Sequence, residues 1–148
     1  MRIDGQWLLC DDGVMRPVLS GEILAGNGSC EKSEFLLDTG ADRTVFSAAT
    51  LSKLGLQPVA MQEGISGVGG MAAAVSVETE IRLTHEEAGK VVFRGLYVAV
   101  TELEALDISV LGRDITNLFA VIVDRIHDVV CLLGQRHRYR IEQDGRLC

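Results

Sequence analysis

The chain has 148 residues, which suits one domain and leaves no room for two large ones, and 47% of them are hydrophobic, enough for a real core. Sixteen glycines against two prolines favour many tight turns over Pro-rich disorder. A net charge of −7 argues against a general binder of nucleic acid or anionic membrane, and no apolar run approaches the ~20 residues that span a bilayer.

The opening "MRIDGQWLLCDDG" places one Arg and then acids around a very short apolar patch, so it does not read as a signal peptide. Trp7 is expected to anchor this segment to the core. "RPVLSGEILA" (16–25) reads as a strand, "GNGS" (26–29) as a turn, and "EFLLD" (34–38) as the next strand. Asn27-Gly28-Ser29 fits a glycosylation acceptor, but a hairpin turn is the better reading. "SAATLSKLGL" (47–56) has helical spacing: Ala48, Leu51 and Leu54 share a face, Ser47 can cap the start and Gly55 can end it. "GISGVGGMAAAVSVETEIRL" (64–83) is a glycine-rich turn followed by a long alternating strand, with Val75, Val77, Thr79 and Ile81 on one face and Ser76, Glu78, Glu80 and Arg82 on the other. "THEEAG" (84–89) turns it and "KVVFRGLYVAV" (90–100) returns. "ISVLGRDITNLF" (108–119) is a strand running into a short helix, "AVIVDRIHDVVCLL" (120–133) a hairpin around Asp124–Asp128, and "RHRYRIEQ" (136–143) a closing strand.

The stretch that carries chemistry is "FLLDTGADRTVF", residues 35–46. An apolar run ends directly in Asp38, which puts a carboxylate at the rim of a core, where ionisation is costly unless hydrogen bonds or a partner stabilise it. Taken alone, D-T-G is an ordinary strand-end turn. Two further elements stand with it: "SGVGG" (66–70) at the tip of a long hairpin, and "VLGRD" (110–114), an apolar strand ending in Gly-Arg before a helix.

An apolar run into Asp38-Thr39-Gly40-Ala41-Asp42 with Thr44 and Val45, then a Gly-rich hairpin, then L-G-R-D, closely resembles the retropepsin-like aspartic proteases, the single-domain family that includes the retroviral proteases. The resemblance spans about residues 16–133 of a single domain covering 1–148. It implies a mostly β, closed acid-protease barrel with one or two short helices, forming a homodimer. In that family two such Asp residues lie side by side, and pepsin-like enzymes carry both in one chain of roughly twice this length. Only one D-[TS]-G is present here, since Asp11-Asp12-Gly13 and Asp144-Gly145 lack the Thr/Ser and the preceding apolar strand. The second Asp must then come from a second copy, across a two-fold axis.

The resemblance also assigns roles. Asp38 is the catalytic residue of an aspartic endopeptidase acting on extended polypeptide. Two carboxylates about 3 Å apart share one proton and titrate as a unit; one activates a water and the other polarises the scissile carbonyl, with no metal or other cofactor. Thr39, Gly40 and Ala41 form the active-site loop, Thr39 bonding across the dimer and Gly40 offering its carbonyl to substrate. Asp42 meets substrate and pairs with Arg113 behind the site. Arg43, where retroviral enzymes often carry an acid, borders a substrate pocket. Gly67, Val68, Gly69 and Gly70 form a flap whose glycines suit a lid. No aromatic residue lies near this flap, the nearest being Phe93. The extra residues at both ends suggest a differently built interface, with "RHRYRIEQ" as its strand.

The remaining features have bland readings. His85, His127 and His137 are scattered without ligand spacing, so no metal is assigned. Cys10, Cys30, Cys131 and Cys148 show no C-x-x-C spacing and read as free thiols in a reducing, cytoplasmic compartment. Arg136, Arg138 and Arg140 read as a solvated or interface face, not a nucleic-acid contact. The alternative to a protease is a non-proteolytic homodimeric module that keeps the fold and binds peptides in its cleft.

Overall fold

The computed structural model describes residues 1–67 and 70–134. Among these residues the chain forms eleven strands and two short helices: β1 (Arg2–Asp4), β2 (Gln6–Leu9), β3 (Met15–Leu24), β4 (Cys30–Leu37), β5 (Val45–Phe46), α1 (Ala48–Leu54), β6 (Ala60–Gly67), β7 (Gly70–Thr84), β8 (Lys90–Val100), β9 (Ser109–Leu111), α2 (Arg113–Thr116), β10 (Ala120–Asp124) and β11 (Val129–Leu133). One sheet runs β2-β3-β4-β9-β5-β8-β7-β6, and β3 also pairs with β7. The pairings Gly21↔Leu83 and Ile23↔Ile81 therefore close β3-β4-β9-β5-β8-β7 into a ring. Closure pairs both edges of the ring strands, while β2 and β6 stand at the ends of the sheet order.

The alternation read along 75–82 is the pattern of burial. Val77, Ile81 and Leu83 are completely buried, while Glu78 is exposed and Glu80 and Arg82 are half-buried. Ser76 departs from it, being buried as well. The interior is filled by Phe35, Phe46, Leu19, Ile23, Leu111 and their neighbours, with the Phe46 ring 5.4 Å from that of Tyr97. α1 has the ends its sequence asks for: the Ser47 hydroxyl accepts from Thr50 N, and Gly55 sits at φ 56°, a left-handed value that suits glycine.

Three strands lie where the sequence shows no alternation. β1 pairs with β11 and β2 with β3, so the N-terminal segment is woven into the sheets. Trp7 packs on the core edge, its Nε1 donating to Asp124 O at 3.3 Å with the Arg125 guanidinium 5.3 Å above the ring. β6 is the third. Instead of a turn beginning at Gly64, the strand continues through Gly67, with a register shift between Gln62 and Ile65. Cys10, Cys30 and Cys131 are free thiols; Cys148 and the segment 136–143 lie outside the described residues. No helix among the described residues is long and apolar enough to cross a membrane.

Candidate active site

β4 and β9 run parallel, Leu36 beside Val110 and Leu37 beside Leu111. Both strands end at the same level. β4 leads into Asp38 and β9 into Gly112, so two turns emerge side by side. Asp38 N donates to Leu111 O at 3.2 Å, extending the ladder to the carboxylate residue itself.

The Asp38 turn folds back on its own side chain. Gly40 N donates to Asp38 Oδ1 at 2.9 Å and Ala41 N to Asp38 O at 3.3 Å, which holds the carboxylate in one orientation. Asp38 is half-buried, with Thr39 and Gly40 exposed beside it. The Thr39 hydroxyl has no hydrogen-bond partner among the described residues.

Behind this turn the two loops are tied together. Arg113 N donates to Ala41 O at 2.8 Å. Thr44 N donates to both carboxylate oxygens of Asp114, at 3.0 and 2.9 Å, and the Thr44 hydroxyl donates to Asp114 Oδ1 at 2.7 Å. The same hydroxyl accepts from Gly112 N at 3.1 Å, so one side chain joins both loops. Gly112 is the point of closest approach. A Cβ there would lie 2.3 Å from the Arg43 carbonyl carbon and 2.8 Å from Thr44 N, so only a glycine fits. The Arg113 guanidinium also donates to Asp42 Oδ1, but at the surface, with both side chains well exposed. Arg43 is exposed too. Asp114 and Thr44 together form the anchor, a pairing sequence reasoning did not single out. Its signal was available: a Thr after the D-T-G-A-D run and a carboxylate after Gly-Arg.

Asp38 opens into a cleft of about 540 Å³. Ala41, Val45 and Val110 line it from the loop side, and Ile65, Gly70, Met71 and Ala72 from the β6–β7 hairpin. Gly67 pairs with Gly70 at the end of that hairpin. Val68 and Gly69, also expected in the flap, lie outside the described residues. The wall is completed by the segment between β8 and β9, through Glu102, Glu104 and Leu106. No group of His, Cys, Asp and Glu among the described residues has the arrangement of a metal site.

Deeper in the wall, Tyr97 donates its hydroxyl to Phe93 O at 2.8 Å. Burial, with the negative charge of Asp114 second, pushes the phenol up to about 12.

The aspartyl protease family profile matches residues 20–115, a span from β3 to α2 that includes both loops. The chain belongs to the aspartyl protease family. No curated protein sequence matches it. Among solved structures it is similar to a retropepsin-like aspartic protease from Rickettsia conorii, 19% identical, over 89% of this chain and 88% of that one, with a TM-score of 0.53. It is also similar to the EIAV protease complexed with the inhibitor HBY-793, 26% identical, over 69% of this chain and 86% of that one, with a TM-score of 0.49. The fold is retropepsin-like: mostly β, a closed barrel with two short helices.

Proposed function

We propose that this chain is an aspartic endopeptidase that works as a homodimer, with Asp38 and the partner's Asp38 sharing one active site. The observation that carries the reading is the Asp38 turn. A carboxylate held by Gly40 N stands where the buried end of β4 gives out and opens into a cleft of about 540 Å³. A single D-T-G supplies one carboxylate, and the reaction needs two.

The chemistry follows from two adjacent carboxylates carrying one proton. The ionised one takes a proton from a water as its oxygen attacks the scissile carbonyl carbon, while the protonated one donates to the carbonyl oxygen. The tetrahedral intermediate then collapses, the C–N bond breaks and a proton passes to the leaving amine. Thr39, whose hydroxyl is unpartnered in the described chain, is available for a bond across the dimer. Gly40 presents its backbone to substrate, Asp42 and Arg43 border the peptide, and the hairpin carrying Gly67 and Gly70 covers it. The pH–rate profile is then bell-shaped, and both limbs belong to the pair.

The test combines three measurements on the full chain. A peptide library should be cleaved at mildly acidic pH, and a pepstatin-type inhibitor should block cleavage. Asp38→Asn should lose at least about a thousandfold in rate, within the range of general acid–base catalysis, while its melting temperature stays close to that of the parent. Sedimentation at micromolar concentration should give twice 16.0 kDa. Undiminished cleavage by Asp38→Asn, or by a strict monomer, sinks the proposal. Peptide binding with no turnover in any condition favours the non-proteolytic module instead.

A further inference from the structure

The charge lining the cleft is one-sided, with the exposed Arg43 outside that lining. Three lining residues carry carboxylates, Asp38, Glu102 and Glu104, and none carries a cation. Glu102 and Glu104 lie on the connection between β8 and β9, both exposed. Neither side chain has a hydrogen-bond or ion-pair partner among the described residues. Elsewhere on the described surface acids are commonly paired: Asp12 with Arg16, Glu22 with Lys90, Glu80 with Arg82 and Arg94. The cleft acids are thus left free to meet a ligand cation. The rest of the wall is apolar, with Met71, Ile65, Val45 and Leu106 facing the same space.

An apolar wall ending in unpaired carboxylates matches a long aliphatic stem with a cationic head, which describes Lys and Arg. An acidic or short polar side chain would meet repulsion at one end and lose contact at the other. The net charge of −7 adds a long-range field that draws cationic peptide toward the protein. The two-fold axis doubles the effect. Each protomer supplies one half of the cleft, so the same acidic wall recurs on both sides of the scissile bond.

We propose that Glu102 and Glu104 make this cleft selective for polypeptides with Lys or Arg on both sides of the bond that is cut. The proposal rests on the homodimeric aspartic protease reading and names its substrate class.

The experiment uses the full chain and a peptide set in which one position on each side of the scissile bond is Lys, Arg, norleucine or Glu. The kcat/KM for Lys or Arg peptides should exceed that for norleucine peptides by roughly tenfold, two partly exposed ion pairs acting together, and the ratio should fall as salt is raised. In Glu102→Gln/Glu104→Gln the ratio should drop close to one. In Glu102→Lys/Glu104→Lys it should turn toward Glu peptides. Equal turnover of Lys and norleucine peptides by the parent, or a ratio unchanged in the double Gln variant, overturns the inference. The same peptides with a reduced, uncleavable bond separate this failure from failure of the protease reading. Charge-selective binding that the double Gln variant loses upholds the inference even where nothing is cleaved. Binding that ignores charge overturns it whatever the turnover.

Discussion

On the loop side of the cleft, Thr44 is 1% exposed and commits its N–H and its hydroxyl to Asp114, while the same hydroxyl receives Gly112 N. On the hairpin side, Met61 is 79% exposed and Met71 70%, and among the described residues β6 pairs along one edge only, by its ladder to β7. The two walls face one cavity and are built by opposite means. The loop wall fixes a carboxylate through short polar cross-links between segments about seventy residues apart in sequence, where an error of position would spoil the chemistry. The hairpin wall is apolar, glycine-containing and interrupted by a register shift, which under the proposed function would suit a lid that moves aside for a polypeptide. Substitutions in the loop wall should therefore change stability and activity together, and those in the hairpin wall activity alone.

The largest effect is expected at Gly112. A methyl group there would meet backbone atoms of Arg43 at 2.3 and 2.4 Å, and backbone cannot swing away as a side chain can. Gly112→Ala should cost ~3 kcal/mol in urea unfolding and should displace the Asp38 turn, so that cleavage falls as well. A loss within about 0.5 kcal/mol would mean that the two loops are not pressed together.

Next in size is an alkaline transition. Tyr97 lies behind the loop wall with its phenol raised from 10.0 to about 12, chiefly by burial. A raised folded value favours the protonated form. The stabilisation is therefore complete below pH 10 and is lost as pH climbs toward about 12. The loss should amount to ~2 kcal/mol, and Tyr97→Phe should remove the pH dependence. A parent and a Tyr97→Phe variant that weaken in parallel across this window would place the titration elsewhere.

Asp114→Ala comes third, at ~2 kcal/mol, because it leaves the buried Thr44 N–H without its acceptor. Thr44→Val in the same background should add less than it does alone, since both remove one network. Independent, summing losses would separate the two residues.

These anchors show what the sequence could and could not convey. The long barrel strands were legible because burial imposes a period of two, as at Val75, Val77, Thr79 and Ile81, whereas the two-residue β5 was not. Helix α1 was legible through Ser47 and Gly55, whose local chemistry marks its ends. The strand-end turn at Asp38 was legible through the apolar run in front of it. β6 was not, because "AMQEGISG" alternates nothing and forms a strand only by pairing with β7. β1 and β2 were hidden for the same reason: at three and four residues they are too short to show a period. The weight of Asp114 was hidden by distance. No local rule couples residue 44 to residue 114, and Asp42 and Arg113, similarly far apart, were paired only through the family resemblance.

In the hairpin wall, Met71→Ala should leave the melting temperature nearly unchanged, because the side chain is mostly in water, and should raise KM several-fold by removing apolar surface from the cleft. A clear loss of stability with KM unaltered would make the hairpin a structural wall like the other.

The smallest effect concerns Asp42 and Arg113. Their side chains are 79% and 48% exposed, so the pair works in a medium close to water, where two long side chains must also be held in one geometry. The double cycle Asp42→Ala, Arg113→Ala should return a coupling of a few tenths of a kcal/mol, shrinking as salt shortens the screening length. The backbone bond from Arg113 N to Ala41 O survives both substitutions, which keeps the loops in register and isolates the side-chain contribution. The pair also lies beside the turn that the homodimer would bring to its two-fold axis. Association could desolvate it, and the coupling would then rise with protein concentration. Running the cycle at two concentrations separates these contributions: a small, salt-sensitive coupling in the dilute sample is the value for the single chain. A dilute-sample coupling of ~2 kcal/mol that ignores salt would make this surface pair as firm an anchor as Thr44 and Asp114. The loop wall would then be fixed from its exposed side as much as from its buried one.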